Sequence, residues 1–242
     1  MAARRVEERY RSNAPVTTVR PLHHSFLPGS QATNLAKRDR KRNEFRQFFM
    51  KTGIIGQASG SAYLEMANTK IICGIYGPRQ IPKMEFSEKA KLQCDFKFAT
   101  FAESRRERRK YTADKEEKEF SMLMVQALES SLILEKYPKS VIDCYVIVLE
   151  NDGGALNGAI TCASMALANA GIEMYDLVAA ASIGLNPLNG EILLDPTEAE
   201  EIEYKKGGKK GGGVVTIGFM PGMNEITQIW QSGQIPQEKW LL

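Results

Sequence analysis

Residues 149–178 read LENDGGALNGAITCASMALANAGIEMYDLV. An apolar strand, Val141–Leu149, breaks at Asp152-Gly153-Gly154, and the chain then continues as an alanine-rich run, residues 155–170, that stops at Gly171. Small side chains over four helical turns let a helix backbone approach a sheet closely, and a glycine just past its end supplies the left-handed stop. A buried strand, a tight glycine turn and a helix without bulk therefore place helix directly against sheet. On both sides of this stretch the pattern alternates between strands and helices. Upstream, Ser61–Glu65 and Thr69–Tyr76 flank a turn at Ala67-Asn68 and read as a hairpin ended by Gly77-Pro78. Leu92–Ala99 alternates with period two, as a strand with one buried face does. Phe120, Leu123, Met124, Ala127, Leu128 and Leu132 recur at helical spacing and predict an amphipathic helix ending before Tyr137-Pro138. Downstream come strands over Leu177–Leu185 and Glu191–Leu194, then a hairpin, Val214–Met220 with Glu225–Trp230, around Pro221-Gly222. Strands separated by helices and mixed with hairpins indicate an α+β fold of mixed sheets packed with helices.

The chain has 242 residues, 43% of them hydrophobic and 25% charged, enough for a core without disulfide or metal staples. Cys73, Cys94, Cys144 and Cys162 are far apart and form no C-x-x-C pair, which argues against a zinc site and a secreted disulfide framework. No stretch approaches the ~18–20 apolar residues that span a bilayer, and no apolar signal core follows the basic N-terminus, so no membrane association is expected. Charge is uneven: residues 1–50 carry 11 Lys and Arg against 4 Asp and Glu, the remainder 21 against 25.

Residues 1–36 hold few large apolar side chains and three prolines and read as a flexible basic N-terminal extension, with the folded domain over 37–242. Such an arm contacts nucleic acid or merely solubilises, and composition does not choose. His23 and His24 lack a third ligand and read as solvated. Lys37–Arg46 reads as a solvated entry to the fold, before a first apolar cluster of Phe45, Phe48 and Phe49. Residues 195–213, acidic at Glu198, Glu200, Glu201 and Glu203 and then KKGGKKGGG, read as a mobile loop. Pro236 begins what reads as the first turn of a helix cut short after Trp240.

Three strings recurring in order, Gly60–Arg79 (GSAYLEMANTKIICGIYGPR), Leu149–Val178 and Asn189–Glu201 (NGEILLDPTEAEE), resemble the RNase PH family of phosphate-dependent exoribonucleases and the RNase PH-like ring subunits of the RNA exosome. The resemblance covers roughly residues 37–242. It implies the RNase PH-like fold (ribosomal protein S5 domain 2-like) with two βαβ-type halves, and a hexameric ring of such subunits. Active members let inorganic phosphate attack the 3′-terminal RNA linkage, which requires an anion site, an oriented RNA end and a proton for the departing oxygen.

The chain departs from the family at each of these requirements. The family's phosphate arginine ends a D-[AG]-G-[ST]-R string at a helix start, where the helix N-terminus also favours an anion; here the string is Asp152-Gly153-Gly154-Ala155-Leu156. Where the family has T-R-R-E, this chain has Ala113-Asp114-Lys115-Glu116-Glu117. At the family's late D-M string stand Val214-Val215, while Asp195, Glu200 and Glu201 persist. The reading is a non-catalytic subunit with no catalytic residue, metal ligand or cofactor. The acidic residues Asp195, Glu198, Glu200 and Glu201 read as a solvated loop rather than a metal cluster, and Cys162 as a small buried hydrophobe rather than a nucleophile. The alternative is an active phosphorolytic 3′–5′ exoribonuclease with Asp195 and Glu201 as surviving acids.

Three further strings, Gln57–Glu65, Cys94–Phe96 and Gly171–Val178, are similar to one eukaryotic ring-subunit type within the family. That resemblance implies a hetero-hexamer with other RNase PH-like subunits, S1/KH-domain cap subunits, an associated hydrolytic exoribonuclease and single-stranded RNA as partners, in nucleus, nucleolus and cytoplasm. The cluster Arg105, Arg106, Arg108, Arg109 and Lys110 falls where the family's loop faces the RNA channel, so it is the candidate RNA-binding element. Interleaved Glu103 and Glu107 keep a plain solvated loop as the other reading.

Overall fold

The computed structural model describes residues 40–80, 87–103, 109, 112, 114–186, 190–206 and 212–235. They lie in one compact unit spanning Leu35–Leu242. The N-terminal extension, Arg105, Arg106, Arg108 and Lys110, and the tail from Pro236 lie outside the described residues.

Five strands form the first sheet: β1 (Phe48–Thr52), β2 (Gly60–Met66), β3 (Thr69–Gln80), β4 (Lys91–Phe98) and β5 (Ser140–Glu150). Their order is β1-β2-β3-β5-β4. Among described strands only β4 and β5 pair in parallel, and helix α1 (Lys115–Glu129) makes their crossover. The second sheet orders β7 (Ile192–Leu194), β6 (Ala179–Leu185), β8 (Gly213–Met220) and β9 (Glu225–Gly233), all antiparallel. Because β7 and β8 are both antiparallel to β6, they run parallel to each other and are joined through a helix over Glu198–Lys206, so the second half contains a split βαβ unit, as expected. No described helix is long and apolar enough to cross a membrane.

Helix α2 (Ala155–Asn169) packs against β2 and β3 of one sheet and β6 of the other. Ala159, Ala163 and Ala166 are fully buried along it. At Gly60, a side chain would put its Cβ only 2.3 Å from the Ala170 backbone nitrogen and 2.4 Å from the Ala166 carbonyl. The close helix-on-sheet approach expected from the alanine-rich run is what the structure contains.

Other expectations are revised. Strand β3 runs through Gly77-Pro78 to Gln80, absorbing the break as a register shift between Tyr76 and Arg79. The first apolar cluster, Phe45, Phe48 and Phe49, is more than half exposed, the last two residues lying on the edge strand β1. The supposed loop from 195 contains a third helix, α3 (Glu198–Lys206), with Tyr204 buried against Leu193 and Val214.

Candidate functional site at the start of α2

The turn before α2 is built from backbone that only glycine adopts readily. Gly153 and Gly154 both have positive φ, 84° and 68°. A Cβ on Gly153 would lie 2.6 Å from the Glu198 nitrogen, so the turn sits directly against the start of α3.

Arg46 locks this turn in place. Its Nε and Nη2 reach the two Asp195 carboxylate oxygens at 2.8 and 2.6 Å. Its Nη1 donates to the Asp152 carbonyl (2.6 Å) and to Thr69 Oγ1 (3.2 Å), and Nη2 also donates to the Gly153 carbonyl (3.0 Å). All five guanidinium N–H groups are thereby used. Arg46 and Asp195 are both buried, and Arg40 adds a bond to the Asp195 carbonyl at 3.1 Å. Burial pushes the Asp195 carboxyl up, but the bonds and charge of Arg46 outweigh it and hold the group below its ordinary value. Sequence reasoning assigned Arg46 to a solvated entry and Asp195 to a solvated loop; the fold makes them one buried ion pair.

The remaining acids of the 195–201 string are also engaged. Glu200 Oε2 accepts the Thr197 N–H at 2.8 Å, and Glu201 Oε1 accepts the Gly154 N–H at 2.8 Å. Gly154 is the N-cap of α2, so the Glu201 carboxylate occupies the electropositive end of the helix where an anion is most favoured. Among the described residues no group of three or more His, Cys, Asp and Glu side chains is arranged to hold a metal ion.

A cleft of about 40 Å³ opens beside this helix start, walled by Phe98, Phe120, Trp230, Leu156, Val214 and Glu116. Phe120 meets Trp230 edge-on at 5.6 Å, and Trp230 Nε1 donates to Glu119 at 3.1 Å. Ala155 and Leu156 are buried in the cleft wall, offering a methyl and an isobutyl where phosphate would need donors. Glu116 and Glu201 supply negative charge instead.

The start of α1 has a structural job that sequence reasoning missed. Asp114 is its N-cap, and the Glu117 side chain returns the bond to the Asp114 N–H at 3.0 Å, closing a capping box. Glu117 Oε1 also accepts the Phe98 N–H at 3.0 Å, satisfying the open edge of β4. The D-x-x-E spacing of Asp114 and Glu117 was the available signal.

Of the five candidate RNA-binding residues, Arg109 is the one within the described set. It bonds Glu103 at 2.7 Å and Glu116 at 3.0 Å, and its guanidinium carbon sits 3.9 Å from the Phe98 ring centre. Only 17% of its side chain is exposed. Burial lowers the guanidinium's proton affinity, and the two carboxylates more than restore it. Held this way it neutralises Glu116 at the cleft rim and has little left to offer a phosphate.

Residues 44–173 match the model of the 3′ exoribonuclease family, domain 1, known as RNase PH. The chain belongs to this family. It is 36% identical over 198 residues to exosome complex component mtr3 of Schizosaccharomyces pombe, covering 81% of this chain and 74% of the relative. It is 41% identical over 204 residues to exosome complex component Rrp41 of Pyrococcus furiosus, covering 84% and 77%. Among solved structures, rice (Oryza sativa) Rrp46 superposes with a TM-score of 0.70 at 26% identity, over 84% of this chain and 88% of that one. The Archaeoglobus fulgidus exosome with RNA bound to the active site superposes with a TM-score of 0.69 at 18% identity, a likeness of fold. The RNase PH-like fold expected from the recurring strings is therefore confirmed.

Proposed function

We propose that the chain is a non-catalytic RNase PH-like subunit of the RNA exosome core ring, of the mtr3 type, which scaffolds the assembly and guides single-stranded RNA through its channel for 3′–5′ degradation and processing. The observation that carries this reading is the Glu201 carboxylate on the Gly154 N–H, with Leu156 beside it. The Glu201 carboxylate places negative charge at the helix start, Ala155 and Leu156 offer an anion no side-chain donor, and no described side chain in the cleft wall is cationic. Asp195 cannot serve as a proton donor while Arg46 holds it ionised and buried. Ring neighbours of the same fold, S1/KH-domain caps, an attached hydrolytic exoribonuclease and residence in nucleus, nucleolus and cytoplasm belong to the same proposal. RNA phosphate contact is assigned to Arg105, Arg106, Arg108 and Lys110, with Arg109 anchoring their segment through Glu103 and Glu116.

The test is phosphate-dependent release of nucleoside diphosphates by the assembled ring containing this chain. The expected result is no release that depends on it, so that Glu201→Gln leaves RNA decay unchanged. Release that Glu201→Gln abolishes would establish the rival reading, an active phosphorolytic exoribonuclease, which the 41% identity to Rrp41 keeps in contention. Reversing Arg105, Arg106 and Arg108 to Glu should weaken RNA binding by the ring and flatten its salt dependence, by about 0.7 in logarithmic slope for each phosphate no longer neutralised. Unchanged affinity and slope would remove these residues from the RNA path.

A further inference from the structure

Three of the four cysteines, scattered along the sequence, converge in the first sheet, and the fourth lies on α2 packed against it. Cys94 and Cys144 stand at the same level of the parallel pair β4–β5, directly opposite each other in register. Cys73 lies diagonally across β3 from Cys144, with the two sulfurs 3.6 Å apart, and Cys162 approaches from α2. Cys73 and Cys144 are buried, whereas Cys94 is partly exposed. Cys94 and Cys144 both line an open groove of about 720 Å³ between β4 and α1, with Leu92, Met122 and Val125. The thiol cluster thus has one end within reach of a small molecule and the other sealed in the core.

We propose that Cys94 and Cys144 form a dithiol modification site, at which a small disulfide such as glutathione disulfide enters the groove and is exchanged for a cross-strand protein disulfide. Adjacent strands lie ~4.8 Å apart, inside the ~4.4–6.8 Å Cα separation that disulfides span. The Cys94 thiolate attacks one sulfur of glutathione disulfide, breaking its S–S bond; one glutathione leaves as thiolate and takes up a proton. Cys144 then loses its proton and attacks the Cys94 sulfur, expelling the second glutathione. Two protein thiols are oxidised and one glutathione disulfide is reduced to two glutathiones. Cys94 is the entry point because it alone of the three is reached from the groove while partly exposed, and Cys144 resolves because it is the nearest thiol in register. Sharing of hydrogen bonds among the thiols, together with burial, holds Cys94 and Cys144 well above the ordinary thiol range, so exchange accelerates as pH rises. The link would fix the edge strand β4 to β5 at mid-strand, beside the groove.

The test treats the native full-length chain with glutathione disulfide at mildly alkaline pH, blocks remaining thiols after denaturation, and maps linked peptides. Cys162→Ala is the background, because Cys162 otherwise shares a tryptic peptide with Cys144. The expected product loses two thiols and joins Cys94 to Cys144. Cys144→Ala should stop at a single glutathione adduct on Cys94, and Cys94→Ser should lose no thiols at all. The Cys94→Ser result stands alone if the buried substitution fails to fold. Cys94 remaining fully alkylatable while a denatured control oxidises would overturn the proposal, as would a Cys73–Cys144 link that forms equally well in Cys94→Ser.

Discussion

Asp195 and Glu201 come from one short acidic string, yet the structure uses them in opposite electrostatic settings. Asp195 is buried against a guanidinium that spends every donor on it, on the neighbouring turn and on Thr69. Glu201 meets a backbone N–H at a helix start, beside a second acid, Glu116, in the same cleft wall. The first site tolerates a buried charge because the charge is fully paired; the second tolerates one because it remains partly exposed and takes up the helix dipole. A carboxylate is therefore a locked structural group or a charge facing a cleft according to its partner.

The largest break in that comparison should come from Arg46→Met, which strands Asp195 in the core. A loss of about 3–5 kcal/mol is expected in urea unfolding, the usual cost of orphaning one member of a buried pair. A loss under ~1 kcal/mol would mean that water or Arg40 replaces the guanidinium. Acid separates the two regions next. Because Arg46 depresses the Asp195 carboxyl in the folded state, the pair contributes stability fully above the unfolded carboxylate value of about 3.9, and that contribution is lost as pH falls through the lower folded value. Between roughly pH 4 and 2, wild-type stability should fall more steeply than that of Asp195→Asn. Parallel acid profiles for the two proteins would contradict the assignment.

Arg109→Met should cost less, about 1–2 kcal/mol, since it removes two partly buried ion pairs and the stacking on the Phe98 ring. It also sharpens the comparison, because Glu116 loses its cation and the cleft becomes more negative; RNA binding by the ring should then weaken most at low salt, where repulsion is least screened, so that its salt dependence flattens. Glu201→Gln should be the smallest change, within about 1 kcal/mol, as the amide oxygen still accepts the Gly154 N–H. A loss above ~2 kcal/mol would show that the charge itself holds α2 in place.

Much of the architecture was legible because it rests on local pattern. The alanine-rich run, the Gly171 stop and the period-two strands state their own geometry, and each matches an observed element within a residue or two. The errors share a different cause. Arg46, Asp195 and Glu117 each depend on a partner far along the chain or on another element, which no local window contains. Charge-rich segments read as solvated because charge favours water unless a partner exists, and the partner of Arg46 lies 149 residues away. The exposure of Phe48 and Phe49 on an edge strand has a related cause: apolarity says a residue benefits from burial, not that its strand has a neighbour on both sides.

By itself the sequence determined the family, the succession of strands and helices, and that Ala155, Leu156 and Val214 stand where the resemblance puts a hydroxyl, an arginine and an aspartate, since these follow from residue identity at fixed spacing. Only the tertiary structure decided which carboxylate pairs with Arg46, which one caps α2, and which thiols share the interior of a sheet. Those outcomes depend on hydrogen-bond distances between residues remote in the chain, and such distances exist only once the sheets and helices have packed.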